Sequence, residues 1–161
     1  MTDSGITSHL DESGSIHMVD VSTKDTTVRV ASATAFVRMS PDGLELLREG
    51  RLAKGDALTT AKLAGIMAAK KTHDLIPLCH PLSLSSIDVV CEIADSGVKV
   101  TTEVRTVERT GVEMEALVAA SIAALTIYDM CKSVDRAMVV EEVMLLSKSG
   151  GRSGAWRRPT D

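Results

Sequence analysis

Alternation of hydrophobic and polar residues predicts four strands along the chain. Residues 27–39 (TVRVASATAFVRM) are β-branched and alternating, which indicates the first strand. Residues 83–94 and 98–107 are two further predicted strands, joined by Asp95-Ser96-Gly97, a turn sequence that favours a hairpin between them. Residues 138–147 (MVVEEVMLLS) form the last predicted strand.

Helical patterns lie between these strands. Pro41 suits the first turn of a short helix that ends at Gly50. The apolar contacts expected of this helix are Leu44, Leu46 and Leu47. Residues 56–71 form the next predicted helix, which the Asp56 side chain caps. The side chains that we expect this second helix to bury are Leu63, Ile66 and Met67.

The longest predicted helix covers residues 112–132 (VEMEALVAASIAALTIYDMCK). It carries no charge over the 13 residues from Ala116 to Tyr128, and its apolar side chains point in every direction. Because one sheet can cover only one face of a helix, this helix needs a second cover. We expect that cover to be another copy of the chain, which predicts a homo-oligomer.

The element order β-α-α-β-β-α-β predicts an α+β fold. It is typical of a ferredoxin-like plait, an antiparallel sheet with helices packed on one face, here with an added helix. We expect a mobile N-terminal arm over residues 1–26, a single α+β domain over 27–148, and a Gly/Ser-rich basic loop with a flexible tail over 149–161. Within the arm, residues 16–21 (IHMVDV) are apolar enough to dock on the domain.

Composition limits the partners of this fold. The 161 residues suit one domain, and a net charge of −4 gives no general attraction to nucleic acid or to an anionic membrane. With one Trp, one Tyr and one Phe, the chain cannot build a base-stacking platform. We therefore expect no nucleic-acid partner and no membrane partner.

The cysteines and the first residues predict a cytoplasmic protein. Three cysteines without a CxxC pair are typical of a reducing compartment, and they favour neither a structural zinc site nor an iron–sulfur cluster. The N-terminus (MTDSGITSHLDESG) is polar and lacks the apolar region of a signal peptide. No uncharged stretch reaches the ~20 residues that a membrane span needs.

Residues 70–82 (KKTHDLIPLCHPL) concentrate reactive side chains where a helical pattern stops. Pro77 and Pro81 exclude helix, which places Cys79 and His80 in a rigid, extended corner. Such a corner is either a structural connection or a wall of a site, and the segment alone favours neither. Neighbouring residues of an extended chain point apart, so a catalytic Cys-His pair is unfavourable. No second ligand stands at metal spacing, and we expect no metal site.

Charged residues flank the longest helix. Glu113 and Glu115 at its start and Lys132 at its end suit the helix dipole, which is a structural explanation for much of the pattern. Asp129 opposes the dipole and needs a partner, and Lys132, three residues on, lies on the same face. An Asp beside a Lys is also how an enzyme tunes groups for proton transfer.

Basic residues indicate candidate phosphate sites. Lys54 precedes the first turn of the second helix, whose free N–H groups attract anions, although an exposed lysine beside a turn glycine is the commoner case. Arg29 on the first strand, and Lys148 with Arg152 in the KSGGRSG loop, are further candidates. Lys70 suits the C-terminus of its helix without any ligand.

Several segments together resemble one family. They are HMVDV at 17–21, KGD at 54–56, KKTHDLIPLCHPL at 70–82, and GVEMEAL and AALTIYDMCK between 111 and 132. These motifs closely resemble the molybdenum cofactor biosynthesis protein C (MoaC) family, the cyclic pyranopterin monophosphate synthases, from about residue 16 to residue 154. KSGGRSG also looks like the C-terminal loop of the family, whereas the N-terminal arm and the AWRRPTD tail are unmatched.

The resemblance implies a homohexamer built as a trimer of dimers, whose catalytic domain is residues 27–148. Members of the family convert 3′,8-cyclo-7,8-dihydro-GTP into cyclic pyranopterin monophosphate, a lyase reaction that releases pyrophosphate. A separate radical enzyme supplies that substrate, and this chain lacks the CxxxCxxC motif of such an enzyme. We expect no cofactor.

The resemblance also implies roles for individual residues. Asp129 matches the active-site acid of the family, and Lys132 matches the neighbouring catalytic lysine. The implied substrate contacts are Leu78, Cys79, His80, Glu113, Met114 and Glu115. The implied phosphate-binding cations are Arg29, Lys54, Lys70 and Lys148.

Helix geometry predicts a shared site, and two other functions stay open. Glu115 and Lys132 are 17 residues apart, roughly 25 Å on a straight helix, so we expect each site to combine two protomers. A non-catalytic nucleotide-binding regulatory module would explain the lysines but would leave the pair of Asp129 and Lys132 without a role. A phosphohydrolase would need a carboxylate-bound metal cluster, which the sequence does not indicate.

Overall fold

A computed structural model of the chain describes residues 13–159. Its frame is a five-stranded antiparallel sheet with the order β2-β3-β1-β4-β5. The strands are β1 (Thr27–Arg38), β2 (Leu84–Ile93), β3 (Gly97–Glu108), β4 (Val139–Ser149) and β5 (Trp156–Arg157). The α+β class and the ferredoxin-like plait that the element order predicts are confirmed.

The helices are α1 (Pro41–Arg48), α2 (Ala57–Ala69), α3 (Thr72–Leu75) and α4 (Glu113–Cys131). As predicted, Pro41 opens α1, and the Asp56 carboxylate caps α2 by accepting a hydrogen bond from the Thr59 N–H at 3.0 Å. The single turn α3 was not predicted, because four residues are too few to show a helical period.

The core lies between the sheet and the helices. Along β1, Ala31, Ala33, Ala35 and Val37 alternate with more exposed residues and are almost completely buried. The α4 residues buried with them include Ala116, Ala120, Ala123, Ala124 and Ile127. Alanines on both surfaces let the helix lie close to the sheet.

The second cover of α4 is α2 of the same chain, which corrects the expectation that another copy supplies it. The two helices meet through small residues. A Cβ atom added at Gly65 would lie 3.0 Å from the Ala119 carbonyl oxygen and 3.3 Å from the Ala123 Cβ. Hence nothing larger than glycine fits at position 65 without a shift.

The predicted burial of Leu63 and Met67 is wrong, because these side chains are 58% and 60% exposed. The reason is that α2 turns its small residues, among them Ala61, Gly65 and Ala68, towards the interior. Large side chains are thereby left on the outer face, while Ile66, also predicted as buried, is half-buried.

Helix α4, with 19 residues, has the length and apolar composition of a membrane span. However, 56% of its apolar stretch is buried within the fold. The apolar composition of α4 is therefore that of a core helix.

Parts of both terminal segments lie against the domain, although residues 13–18 are exposed. Residues 1–12 of the predicted mobile arm are outside the described residues, but within its second part Val19 and Val21 are half-buried. At the other end, where the sequence predicted a flexible tail, Trp156–Arg157 pair with Lys148 and Ser147 as β5. A two-residue strand has too few positions to show alternation.

Candidate active site

Two adjoining cavities open where α4 begins, with volumes of about 590 and 430 Å³. Lys24, Thr110, Gly111 and Glu113 line both, so the cavities form one continuous cleft. Sheet register explains the position of this cleft. The start of β1 lies beside the end of β3, and the end of β4 pairs with β1 from its other side.

The smaller cavity is lined by the proline corner and the docked arm. Leu78, Cys79 and His80 line it together with Val19 and Val21. The His80 Nε2 atom lies 2.8 Å from the Val19 carbonyl oxygen. Because a carbonyl can only accept, Nε2 carries the proton and donates it, which leaves Nδ1 of a neutral ring free to accept. The corner therefore presents a histidine of defined orientation.

Glu115 is a buried carboxyl group in the wall of the smaller cavity, 4% exposed and next to Met114 in the first turn of α4. Burial raises the pKa of Glu115, and the negative charge of Glu113 adds to the rise. Burial likewise raises the pKa of the Cys79 thiol, and the charge of Glu115 adds to it. A carboxyl group in this position can accept two parallel N–H donors from a heterocycle.

Cations from the arm, from three strand ends and from the KSGGRSG loop line the larger cavity. Arg29 donates to the carbonyl oxygens of Glu108 at 3.4 Å and Arg109 at 3.2 Å. Lys148 Nζ donates to Ser153 Oγ at 2.7 Å and lies 3.6 Å from Glu113 Oε1. The lining cations are Lys24, Arg29, Arg109, Lys148 and Arg152. Such a cluster suits a polyphosphate.

Sequence reasoning missed Lys24 and Arg109. Lys24 lies near the end of the polar arm, and no pattern distinguishes it from other surface lysines. Arg109 stands two residues before Gly111, where the GVEMEAL motif begins, and that proximity could have indicated it. The structure places both in the wall that they share with Arg29.

Glycine is required where the KSGGRSG loop approaches β1. Gly150 and Gly151 have φ values of +99° and +72°, which side chains rarely adopt. A Cβ atom at Gly150 would meet the Val28 carbonyl oxygen, and one at Gly151 would meet the Arg29 guanidinium group. The loop backbone therefore lies directly on Arg29.

One residue in the wall of the larger cavity carries a buried hydroxyl group. Thr27 Oγ1 is the side-chain polar atom that stays buried without a hydrogen-bond partner among residues 13–159, and Thr27 lines this cavity. Buried polar atoms in proteins are nearly always satisfied, by ligand or water when not by protein.

At the opposite end of α4, Asp129 lies between two lysines. Lys132 Nζ lies 2.7 Å from Asp129 Oδ1, and Lys54 Nζ lies 2.7 Å from Oδ2 and 2.8 Å from the Asp129 carbonyl oxygen. Hydrogen bonds from Lys132 and Lys54 lower the pKa of Asp129 to about 2. The same contact with Asp129 raises the pKa of Lys132. In this arrangement the pair is fully ionised at neutral pH.

The predicted site residues therefore form two groups within one chain. Residues of the cleft are Arg29, Leu78, Cys79, His80, Glu113, Met114, Glu115 and Lys148. The second group is Lys54, Asp129 and Lys132. Lys70 lines neither cavity and caps the end of α2. Along α4 the two groups stand roughly 25 Å apart.

We expect the Asp129 carboxylate to stay ionised as the pH falls through 3.8, its ordinary pKa, and to titrate at about 2. In a Lys132→Ala variant the titration should move up towards 3.8, because the strongest of the hydrogen bonds that stabilise the charged form is lost. Carbon NMR of labelled aspartate carboxyl groups measures both midpoints. Equal midpoints in the two proteins would contradict this arrangement.

Comparisons with known proteins identify the family of this chain. The matching family is the MoaC family, over residues 18–151. The chain is 58% identical over 150 residues to the cyclic pyranopterin monophosphate synthase of Methylobacterium sp. (strain 4-46), which covers 92% of this chain and 94% of that protein. The chain is 55% identical over 155 residues to the enzyme of the same name from Thermomicrobium roseum, and the match covers 95% of this chain and 93% of that protein. The enzyme of the same name from Streptomyces griseus is 55% identical over 150 residues, and the match covers 93% of this chain and 85% of that protein. Because these matches span almost the whole chain, the protein belongs to the MoaC family.

Proposed function

We propose that this protein is a cyclic pyranopterin monophosphate synthase, a lyase that converts 3′,8-cyclo-7,8-dihydro-GTP into cyclic pyranopterin monophosphate and pyrophosphate. The single observation that carries the proposal is the cleft, which has five cations at one end and a buried carboxyl group at the other. A nucleotide triphosphate has matching chemistry, with negative charge at one end and N–H donors at the other.

The two cavities suit different parts of this substrate. We assign the triphosphate to the larger cavity, where Arg29 and Lys148 are fixed by hydrogen bonds before any ligand arrives. The base belongs in the smaller cavity, beside Glu115 and the Leu78 to His80 corner. Groups held in place in advance lose little entropy on binding, which favours a defined substrate pose.

We assign the proton transfers to Asp129 and Lys132. Opening the purine ring, closing the pterin ring and forming the cyclic phosphate all move protons, and the pair offers a carboxylate beside an ammonium group 2.7 Å away. In the cyclisation a sugar hydroxyl loses its proton as its oxygen bonds to the α-phosphorus, and the bond to the departing pyrophosphate breaks. Phosphates that drew Lys54 away would raise the pKa of Asp129 and make it a better proton acceptor.

We further propose that each site is completed by a second protomer. A compact nucleotide cannot span the roughly 25 Å between the two groups on one helix. Exposed apolar side chains support an assembly, since Leu63 and Met67 share one face of α2 and Leu125 of α4 is 53% exposed. The assembly proposed is the homohexamer, a trimer of dimers, with the Asp129 end of one chain facing the cleft of its neighbour.

The proposed place of the reaction is the cytoplasm, downstream of the radical enzyme that forms the cyclised nucleotide. No metal-dependent step is assigned. Among residues 13–159 no group of three or more His, Cys, Asp or Glu side chains is placed to hold a metal ion.

Supplying purified protein with 3′,8-cyclo-7,8-dihydro-GTP tests the proposed reaction. One pyrophosphate should appear for each pterin product, measured by a coupled phosphate assay and by fluorescence of the oxidised pterin. A regulatory binding module would yield neither product. A phosphohydrolase would release phosphate without pterin, and either result would overturn the proposed reaction.

A further inference from the structure

The chain beyond β4 turns back and attaches to it. Lys148 and Ser147 pair with Trp156 and Arg157 of β5. Beyond this strand, the Arg158 N–H donates to the Leu146 carbonyl at 2.8 Å. We name Trp156, Arg157 and Arg158 the C-terminal clip.

Arg158 also attaches through its side chain. Its Nε atom donates to the Leu145 carbonyl at 2.8 Å. The guanidinium carbon lies 5.9 Å from the centre of the Trp156 ring, within reach of a cation–π contact. The two hydrogen bonds of Arg158 fix the clip on β4, and the ring contact holds Arg158 against Trp156 within the clip.

Between β4 and the clip lies the loop of residues 150–155. Its residues Gly150 to Ser153, together with Ser149, line the larger cavity, whereas neither Trp156 nor Arg158 lines either part of the cleft. Three glycines of the loop have positive φ, and the loop holds itself by one backbone bond, from Gly154 N–H to the Gly151 carbonyl at 3.1 Å. A loop of this composition gains little rigidity from its own residues.

We propose that the C-terminal clip positions the cationic loop in the wall of the larger cavity. Trp156 and Arg158 act as positioning residues for Lys148 and Arg152 and do not touch the substrate. Lys148 is the link, because its backbone pairs with both Ala31 of β1 and Trp156 of the clip, while its Nζ reaches Ser153 in the loop. This inference rests on the proposed function in one respect, which is the assignment of the substrate's phosphates to the larger cavity.

The test measures the loop and the anion site separately. Arg158→Ala should make tryptic cleavage after Arg152 about tenfold faster, since losing one hydrogen bond raises the open population by about that factor. Truncation after Gly154 removes the whole clip and should weaken binding of inorganic pyrophosphate, measured by calorimetry, by about tenfold. In the synthase assay it should raise KM for the nucleotide and leave kcat within about twofold.

Arg157→Ala is the matched control, because it removes the same charge from the neighbouring residue and keeps the backbone pair with Ser147. It should match wild-type protein in cleavage rate and pyrophosphate affinity to within about twofold. Circular dichroism and the melting temperature identify any variant that fails to fold. If Arg158→Ala does not fold, Trp156→Ala takes its place in the test.

Three results would overturn the role of the clip: equal behaviour of truncated and full-length protein, losses in Arg157→Ala as large as in Arg158→Ala, or wild-type protein that does not bind pyrophosphate. If the clip variants behave as expected while the wild-type protein forms no pterin, the proposed reaction fails and the clip stands. If pterin forms equally in all variants with unchanged KM, the reaction stands and the clip fails.

Discussion

Lys132→Ala is expected to lower pterin formation by about 10²- to 10⁴-fold, the usual contribution of a positioned general acid or base. Lys132 lies 2.7 Å from Asp129, and its raised pKa keeps it protonated, so the substitution removes a proton donor and a charge at one step. Asp129→Ala should cause a loss of the same order. Single-turnover measurements with the cyclised nucleotide separate this loss from weaker binding.

Lys99→Ala serves as the control, because Lys99 is an exposed lysine of β3 that lines no cavity of the cleft. It should turn over at nearly the wild-type rate. The double variant Asp129→Ala/Lys132→Ala should be little worse than either single variant, since groups that act as a unit are not additive. Normal folding with near wild-type turnover in both single variants would refute the assignment.

Mixing inactive His80→Ala protein with inactive Lys132→Ala protein should restore activity. If a site takes His80 from one chain and Lys132 from its neighbour, a mixed pair contains one site with both wild-type residues. Random pairing then returns about a quarter of wild-type activity. Subunit exchange followed by the pterin assay, with mixed assemblies verified by native mass spectrometry, measures the recovery.

The matched control mixes His80→Ala with Glu115→Ala. Both residues line the smaller cavity of the same chain, so every site in this mixture carries one substitution. No recovery is expected. Equal recovery in the two mixtures, or none with Lys132→Ala in verified mixed assemblies, would contradict sharing.

The fold could be predicted from the sequence wherever an element is long and periodic. Residues 27–39 and 112–132 were placed to within about two residues of the observed β1 and α4, because alternation and helical apolar spacing are strong signals. The side chains that α2 buries could not be predicted, since apolar residues occur around the whole circumference of this helix. Which face turns inward depends on how closely Gly65 approaches Ala119, a property of two helices together.

The motifs shared with the family indicated the candidate site, whereas the pattern of apolar, charged and proline residues indicated only part of it. Prolines 77 and 81 indicate a corner beside His80, and that corner lines the smaller cavity. Nothing local to Lys24 or Arg109 predicts that they meet Arg29, because the meeting is created by the register between β1 and β3. Long-range pairing of this kind leaves no trace in a short window of sequence.

The contact at Gly65 also affects the ion pair between Lys54 and Asp129, which lies far along the helix pair. Since Gly65 packs closely against the Ala119 carbonyl and the Ala123 side chain, this contact favours one longitudinal alignment of the helix pair. Lys54 lies just before α2, and Asp129 lies near the end of α4, so the 2.7 Å between their charged atoms is a product of that alignment. A methyl group at position 65 would thus change the distance between Lys54 and Asp129, and with it the pKa of Asp129, without touching either residue.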